Sequence, residues 1–404
     1  MLRDLEHAGA RAVLEEMAPI VGRDSFGLKQ PFRGVCFVAP ELDRIGGYEL
    51  ATLALARGLR ERGISVMVVT IATGELNSAD GADVIRIYVR GQHTLLSTFP
   101  RLLAVLARER SRYSIIHCST FGYMSGLAVL VGRILGRPTL LRVATESDVR
   151  EFAEGRHWKY RLFFWLLHRA AGVIAPSGAI RDELLRAGFS RERIIYFANA
   201  VDVNRFRPAT PPEKAEAKSA LGLSKDTAII GTVARLVQRK GIDVLLRAFG
   251  IVRHSHRVHL IVVGDGPLGE ELRALARELR IEDSISWLGF QADPVKWLEA
   301  MDVFAFPSRL EGVPNAVLEA MAVGLPIVAT TIGGVVDILE EGRTGLLISP
   351  NDPEALAGAL DRLLANAPLR ADLGYHARNR AVEIFSLSDN ITRLTDLYLA
   401  LQES

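Results

Sequence analysis

Two glutamates, Glu311 and Glu319, stand eight positions apart in the stretch RLEGVPNAVLEAMAVGLPIVATTIGG, residues 309–334. Pro314 suits the first helical position, where its missing N–H costs nothing, so Asn315–Val323 reads as a helix. Gly312 and Val313 carry no side-chain oxygen, which leaves the N–H groups of Asn315 and Ala316 uncapped and facing whatever sits before the helix. Such an end is a ready anion site, because a phosphate satisfies both the orphan donors and the helix dipole. Carboxylates beside it would repel a phosphate and are better matched to neutral hydroxyls, such as those of a sugar or a ribose. Taken alone, the pair also fits a surface loop with solvated acids.

Further residues of the right types lie at corresponding places along the chain. GTVARLVQRKGIDVLLRAF sets Arg235 just past a strand end and Lys240 just before a helix. In a parallel sheet both would project beside the Glu311 loop, and two cations there make a pyrophosphate site in prospect. Singly, each is an ordinary solvated charge. VVGDGPLGEEL, residues 262–272, repeats strand, glycine turn and helix, and Asp265 serves either a ligand or the turn. ISWLGFQAD brings Phe290 to a strand end, where backbone groups can meet a nucleobase edge. Gly46 and Gly47 fall between the first strand and a helix, so the backbone can approach a ligand there or simply turn tightly. His117 closes a strand as either a functional group or a core residue.

Positioning these residues takes two series of alternating strands and helices. Apolar runs at 34–40, 65–71, 114–118, 139–144 and 172–177 read as strands, with helices such as 48–62 and 123–135 between them. A second series follows at 227–234, 258–264, 284–289, 302–307 and 326–330. Between the series lies ANAVDVNRFRPATPPEK, 198–214, where Pro208, Pro211 and Pro212 argue against regular structure and for a linker. The expected fold is α/β: two doubly wound parallel-sheet, Rossmann-like domains facing a central cleft. The expected division is a helical extension over 1–32, a first domain over 33–205, a second over 206–385, and a C-terminal helix over 386–404 that crosses back to the first.

Composition limits what this frame can be. The 404 residues are 49% hydrophobic and 24% charged, so each half can bury a full core. Residues 1–200 hold 27 Lys and Arg against 20 Asp and Glu, a net +7, and the rest holds 22 against 27, a net −5. The basic half is therefore the side expected to meet an anionic partner, and the helical stretches 101–113 and 157–169 mix bases with apolar residues as a membrane-surface helix or an ordinary sheet-covering helix would. Cys36 and Cys118 are the only cysteines, which excludes a disulfide framework and points to a reducing compartment. The first thirty residues are too acidic for a secretory signal, and no apolar run could span a bilayer. No Gly-x-Gly-x-x-Gly follows the first strand, against a dinucleotide oxidoreductase, and no Asp-x-Asp occurs, so catalysis is expected to need no metal.

Taken in order, the Gly-Gly loop, NAVDVNRFRP, ARLVQRKG, VVGDGP, WLGF and PSRLEGVPNAVLEAMAVGLPIVATTIGG resemble glycosyltransferase family 4, retaining enzymes of GT-B architecture. The resemblance runs from residue 33 to the end and is tightest in the second half, where Glu311 and Glu319 match the Glu-x7-Glu motif. It implies that Glu311 lies by the donor sugar, Glu319 binds the nucleotide ribose, Arg235 and Lys240 hold the diphosphate, Gly47 approaches it, and the backbone at Phe290 meets the base. Many members end the strand matching PTLLRVA in a His that faces the sugar. Here Ala144 stands at about that point, and Thr145, Glu146, Ser147 or Asp148 would supply the polar contact. The implied activity is transfer of a sugar from a nucleotide diphosphate, UDP before GDP or ADP, to a sugar or lipid-linked acceptor, with no other cofactor and no nucleic-acid partner. The cysteine count and the basic first half give a cytoplasmic setting, either free or peripheral at the inner face of an anionic membrane. A nucleotide-sugar epimerase, a phosphorylase or a non-catalytic module of the same fold is the alternative.

Overall fold

A computed structural model of the chain describes residues 31–39, 47–72, 83–88 and 95–403. It divides into two compact units. One holds the residues up to Asn199 together with Leu387–Ser404, and the other is Ala200–Ser386. The expected helix within 1–32 lies outside the described residues.

The first unit is built on β1 (Val35–Ala39), β2 (Val66–Ala72), β3 (Asp83–Tyr88), β4 (Ile115–Cys118), β5 (Thr139–Arg142), β6 (Gly172–Ala175) and β7 (Ile194–Tyr196). They pair in parallel in the order β3-β2-β1-β4-β5-β6-β7. VCFVA, IIHC and GVIA are buried at every residue. That continuous burial is what strands covered by helices on both faces require, and it explains why these runs do not alternate. The helix Leu387–Glu403 packs on this unit through Ile391, Leu394 and Tyr398, the last two fully buried. Its seat depends on Gly58 of the helix Gly47–Glu61, where an added Cβ would lie 1.9 Å from Ile391 Cδ1. Arg62 fastens the start of the helix by donating to Ser388 and Thr392. Each large apolar side chain buried here contributes about 1.5–3 kcal/mol.

The second unit carries β8 (Ala228–Val233), β9 (Val258–Val263), β10 (Ile285–Gly289), β11 (Val303–Phe306), β12 (Ile327–Thr330) and β13 (Leu346–Ile348), in the order β10-β9-β8-β11-β12-β13. All neighbouring pairs are parallel. The fold is the expected pair of doubly wound parallel sheets.

Two local expectations are corrected. Regular structure returns inside the proline-rich stretch, because Pro211 and Pro212 occupy the first turn of a helix, Pro211–Ser219, where no amide partner is missed. Thr210 and Glu213 close a capping box in front of it. The strands missed by sequence, β3, β7 and β13, all lie at sheet edges, and two are only three residues long. Edge strands bury less and so leave a weaker apolar signal.

Candidate functional site

In the second unit the winding reverses between β8 and β11: β9 and β10 extend to one side, β12 and β13 to the other. Loops leaving the carboxyl ends of the two central strands part at such a point and leave a crevice. The loop after β8 carries Arg235 to Lys240, and the loop after β11 carries Ser308 to Pro314.

These two loops are bound together by charge. The Lys240 ammonium pairs with the Glu311 carboxylate, and the two side chains are only 14% and 9% exposed. The Ser308 hydroxyl lies 2.8 Å from the same carboxylate and 2.9 Å from the Arg239 carbonyl, so one proton serves two acceptors. Burial draws the Lys240 pKa below its ordinary value, against the opposing pull of Glu311. Beside this pair, Arg309 grips Asp243 in a two-pronged bond of 2.9 and 2.7 Å. Burial alone would raise the Asp243 carboxyl, but the Arg309 guanidinium outweighs it and holds it low.

Two glycines permit this closeness. Gly241 sits at φ 66°, and a Cβ there would fall 2.0 Å from the Pro307 carbonyl oxygen. Gly334 donates its N–H to the Gly312 carbonyl at 2.9 Å, where a Cβ would come within 2.2 Å of that oxygen. The loop following β12 thus closes directly on Gly312 and Val313.

The helix Asn315–Val323 begins as expected, but Pro314 stands one place earlier than the sequence suggests. Its φ of −78° and ψ of 117° make it the capping residue rather than the first helical one. Its carbonyl accepts from Val317 and Leu318. No side chain caps this end, and the N–H of Ala316 meets no acceptor among the described residues. The positive end of the helix therefore opens beside the Lys240–Glu311 pair.

Glu319, one turn in, is half-buried and has no hydrogen-bond partner among the described residues. Burial pushes its carboxyl up to about 7, with Arg205 pulling it down and Asp293 adding to the rise. Arg205 and Asp293 pair with each other at 3.1 Å. Arg235 is exposed just past β8, and its guanidinium has no partner among the described residues. Asp265 accepts from the Gly266 N–H at 2.7 Å, which is the turn-forming use of that residue. Phe290 follows Gly289, whose φ is 65°, and is 53% exposed at the end of β10.

The first unit treats its candidates differently. His117 is in the core, 1% exposed, stacked on Phe37 and sharing a 2.6 Å hydrogen bond with Tyr398 of the C-terminal helix. Burial and the charge of Arg142 bring its pKa down to about 3, so it is neutral and buttresses that helix. Thr145 and Asp148 are engaged in a capping box: Asp148 accepts from the Thr145 N–H at 2.9 Å and from the Thr145 hydroxyl at 2.9 Å. The hydroxyl also lies 2.7 Å from Ser147 Oγ. Expected as acceptor contacts, these groups are committed to starting the helix Glu146–Glu154. Glu146 opens that helix, Gly47 opens Gly47–Glu61, and Gly46 lies outside the described residues.

Sequence reasoning missed Ser308, the Arg309–Asp243 clasp and the Arg205–Asp293 pair. Arg309 and Asp243 are 66 positions apart, and only the pairing of β8 with β11 joins them. No group of three His, Cys, Asp or Glu among the described residues is placed to hold a metal ion.

Comparison with known proteins bears on what such a site belongs to. Residues 46–200 match the family described as Glycosyl transferase 4-like domain, and residues 213–380 match Glycosyl transferases group 1. The sulfoquinovosyl transferase SQD2 of Arabidopsis thaliana is 29% identical over 377 residues, covering 89% of this chain and 72% of the relative. A GDP-mannose-dependent alpha-(1-6)-phosphatidylinositol monomannoside mannosyltransferase of Mycolicibacterium smegmatis is 29% identical over 313 residues, 75% of this chain and 74% of the relative. The crystal structure of Anabaena HepE in complex with UDP-glucose superposes with a TM-score of 0.77 at 23% identity, covering 90% of this chain and 98% of that one, a likeness of fold. With the two matched domains in this order on two parallel sheets of GT-B type, the chain is a nucleotide-sugar glycosyltransferase of the family 4 kind.

Proposed function

We propose that the enzyme is a retaining, metal-independent transferase that takes a sugar from a UDP-sugar to an acceptor hydroxyl. The observation that carries the reading is the buried Lys240–Glu311 pair beside the uncapped helix Asn315–Val323. A diphosphate brought there meets a fixed ammonium, the free guanidinium of Arg235 and the positive helix end, with no metal ion required for charge. As the bond from the anomeric carbon to the diphosphate oxygen breaks, its electron pair goes to the diphosphate. The acceptor oxygen bonds to the same face of that carbon, and its proton passes to the departing phosphate oxygen. Glu311 turns toward the sugar hydroxyls, and Glu319 accepts from the ribose. UDP is favoured because HepE, of like fold, holds UDP-glucose.

A sugar or lipid-linked acceptor is supported by the lipid-linked substrate printed for the mycobacterial relative. Docking at an anionic membrane rests on the helix Trp158–Leu167, which leaves Trp158, Leu162 and Trp165 exposed beside Lys159 and Arg161. The stretch 101–113 lends less, since Leu102 and Leu106 are fully buried.

Incubation with a panel of nucleotide sugars and acceptors, with the product's anomeric configuration read by NMR, tests the reaction. An axial donor should give an axial product, and excess chelator should leave turnover unchanged. An inverted product overturns retention, and activity lost to chelator and restored by magnesium overturns metal independence.

A further inference from the structure

At the opposite end of the first unit's sheet from the carboxyl edge lies a cavity of about 830 Å³. It opens where β5 and β6 begin: Thr139 starts β5, Ala170 and Ala171 precede β6, and Arg193 precedes β7. Its size is that of a pocket for a small molecule. Four arginines line it, Arg133, Arg137, Arg169 and Arg193, with His168 among them and no carboxylate among the described residues.

Four like charges around one space repel one another unless something between them is negative. Ordinary structural roles account for part of the cluster. Arg137 donates to the Arg110 carbonyl at 2.9 Å, Arg193 to the His168 carbonyl at 2.9 Å, and Arg169 stacks on Trp165 at 4.1 Å. These contacts leave other guanidinium N–H groups over. Arg133 has no partner among the described residues. The Nε of Arg137 is buried without one, and so is the hydroxyl of Thr139, a residue only 3% exposed on the cavity wall. Buried donors without acceptors are costly, and an anion in the cavity would satisfy them. Gly132 lets the helix pack closely on this wall, since a Cβ there would lie 2.3 Å from the Thr139 hydroxyl.

We propose that this cavity binds a phosphorylated ligand, at a site separate from the nucleotide-sugar site of the second unit. Guanidinium forks match phosphate oxygens in pairs, and the threonine hydroxyl adds a neutral donor. The phosphate can belong to a soluble metabolite or to a lipid headgroup.

The test uses the full chain carrying Lys240→Ala, so that the donor site does not take up the probe. Pyrophosphate is titrated by calorimetry, and vesicles of phosphatidylglycerol or phosphatidylcholine are tested by co-sedimentation. Arg133→Glu with Arg169→Glu, both at exposed positions, is added on this background, with melting curves to verify folding. The double change should weaken binding by about tenfold or more, the effect of losing charge-assisted hydrogen bonds. Loss confined to pyrophosphate assigns a soluble ligand, and loss confined to phosphatidylglycerol assigns a headgroup. In a chain with Lys240 intact, the same double change should leave UDP affinity unaltered. No binding of either probe, or binding that the double change leaves intact, overturns the proposal, whatever the fate of the donor site.

Discussion

The polar residues at the carboxyl edges of the two sheets have opposite fates. In the second unit Arg235 and Glu319 have no hydrogen-bond partners among the described residues, and Lys240 and Glu311 hold each other beside an open helix end. In the first unit His117 is tied to Tyr398, and Thr145 and Asp148 close a capping box. A side chain whose donors and acceptors are already matched has little left to offer a ligand. The second unit thus holds polar side chains ready, whereas His117, Thr145 and Asp148 of the first maintain the fold.

The largest effect should come from Lys240→Ala, which breaks the ready half of this comparison. It removes the charge proposed to face the leaving diphosphate, and kcat should fall by roughly 10²-fold or more. Because Glu311 is then buried without its partner, stability should also drop by about 3 kcal/mol. Lys240→Met combined with Glu311→Gln should recover most of that stability but none of the turnover. Kinetics and denaturant melts separate the two losses, and a double variant that regains activity would remove Lys240 from the chemistry. Arg235→Ala sharpens the point, since its exposed guanidinium should matter to turnover by about tenfold and to stability by less than about 0.5 kcal/mol.

Glu319 adds a pH dependence. Its carboxyl titrates near 7 in the folded chain and at an ordinary lower value when unfolded, so the folded state holds the extra proton between the two. Stability therefore falls as pH rises from the unfolded pKa through about 7. Glu319→Gln should melt higher than the parent at pH 8 and equally at pH 4. UDP affinity, if the ribose donates to the ionised carboxylate, should rise with pH through 7 in the parent more steeply than in Glu319→Gln. Parallel affinity profiles would detach Glu319 from the ribose.

The smallest effect is expected from the other unit. Thr145→Ala should cost about 1 kcal/mol, the usual loss of a helix cap, with kcat/KM unchanged. A fall in kcat/KM for acceptor at unaltered stability would return Thr145 to the acceptor site and weaken the contrast.

The alternation of apolar runs with helices and the helix after Pro314 were legible in the sequence because each depends on local chemistry: continuous burial and an absent cap. So was the Glu311–Glu319 spacing, which one loop and one turn of helix fix. Three edge strands were not, since a strand that buries only one flank leaves little apolar pattern. Nor could sequence distinguish a waiting His117 from a core one, or a catalytic Thr145 from a cap. A polar residue's type does not reveal whether its partner is a ligand or another residue, and that partner can be far along the chain, as Tyr398 is from His117 and Asp243 is from Arg309. Sequence determined which groups were present and where most of the described strands would run. Tertiary structure alone decided which were already satisfied, because hydrogen bonding and burial are set by neighbours that only the folded sheets bring into contact.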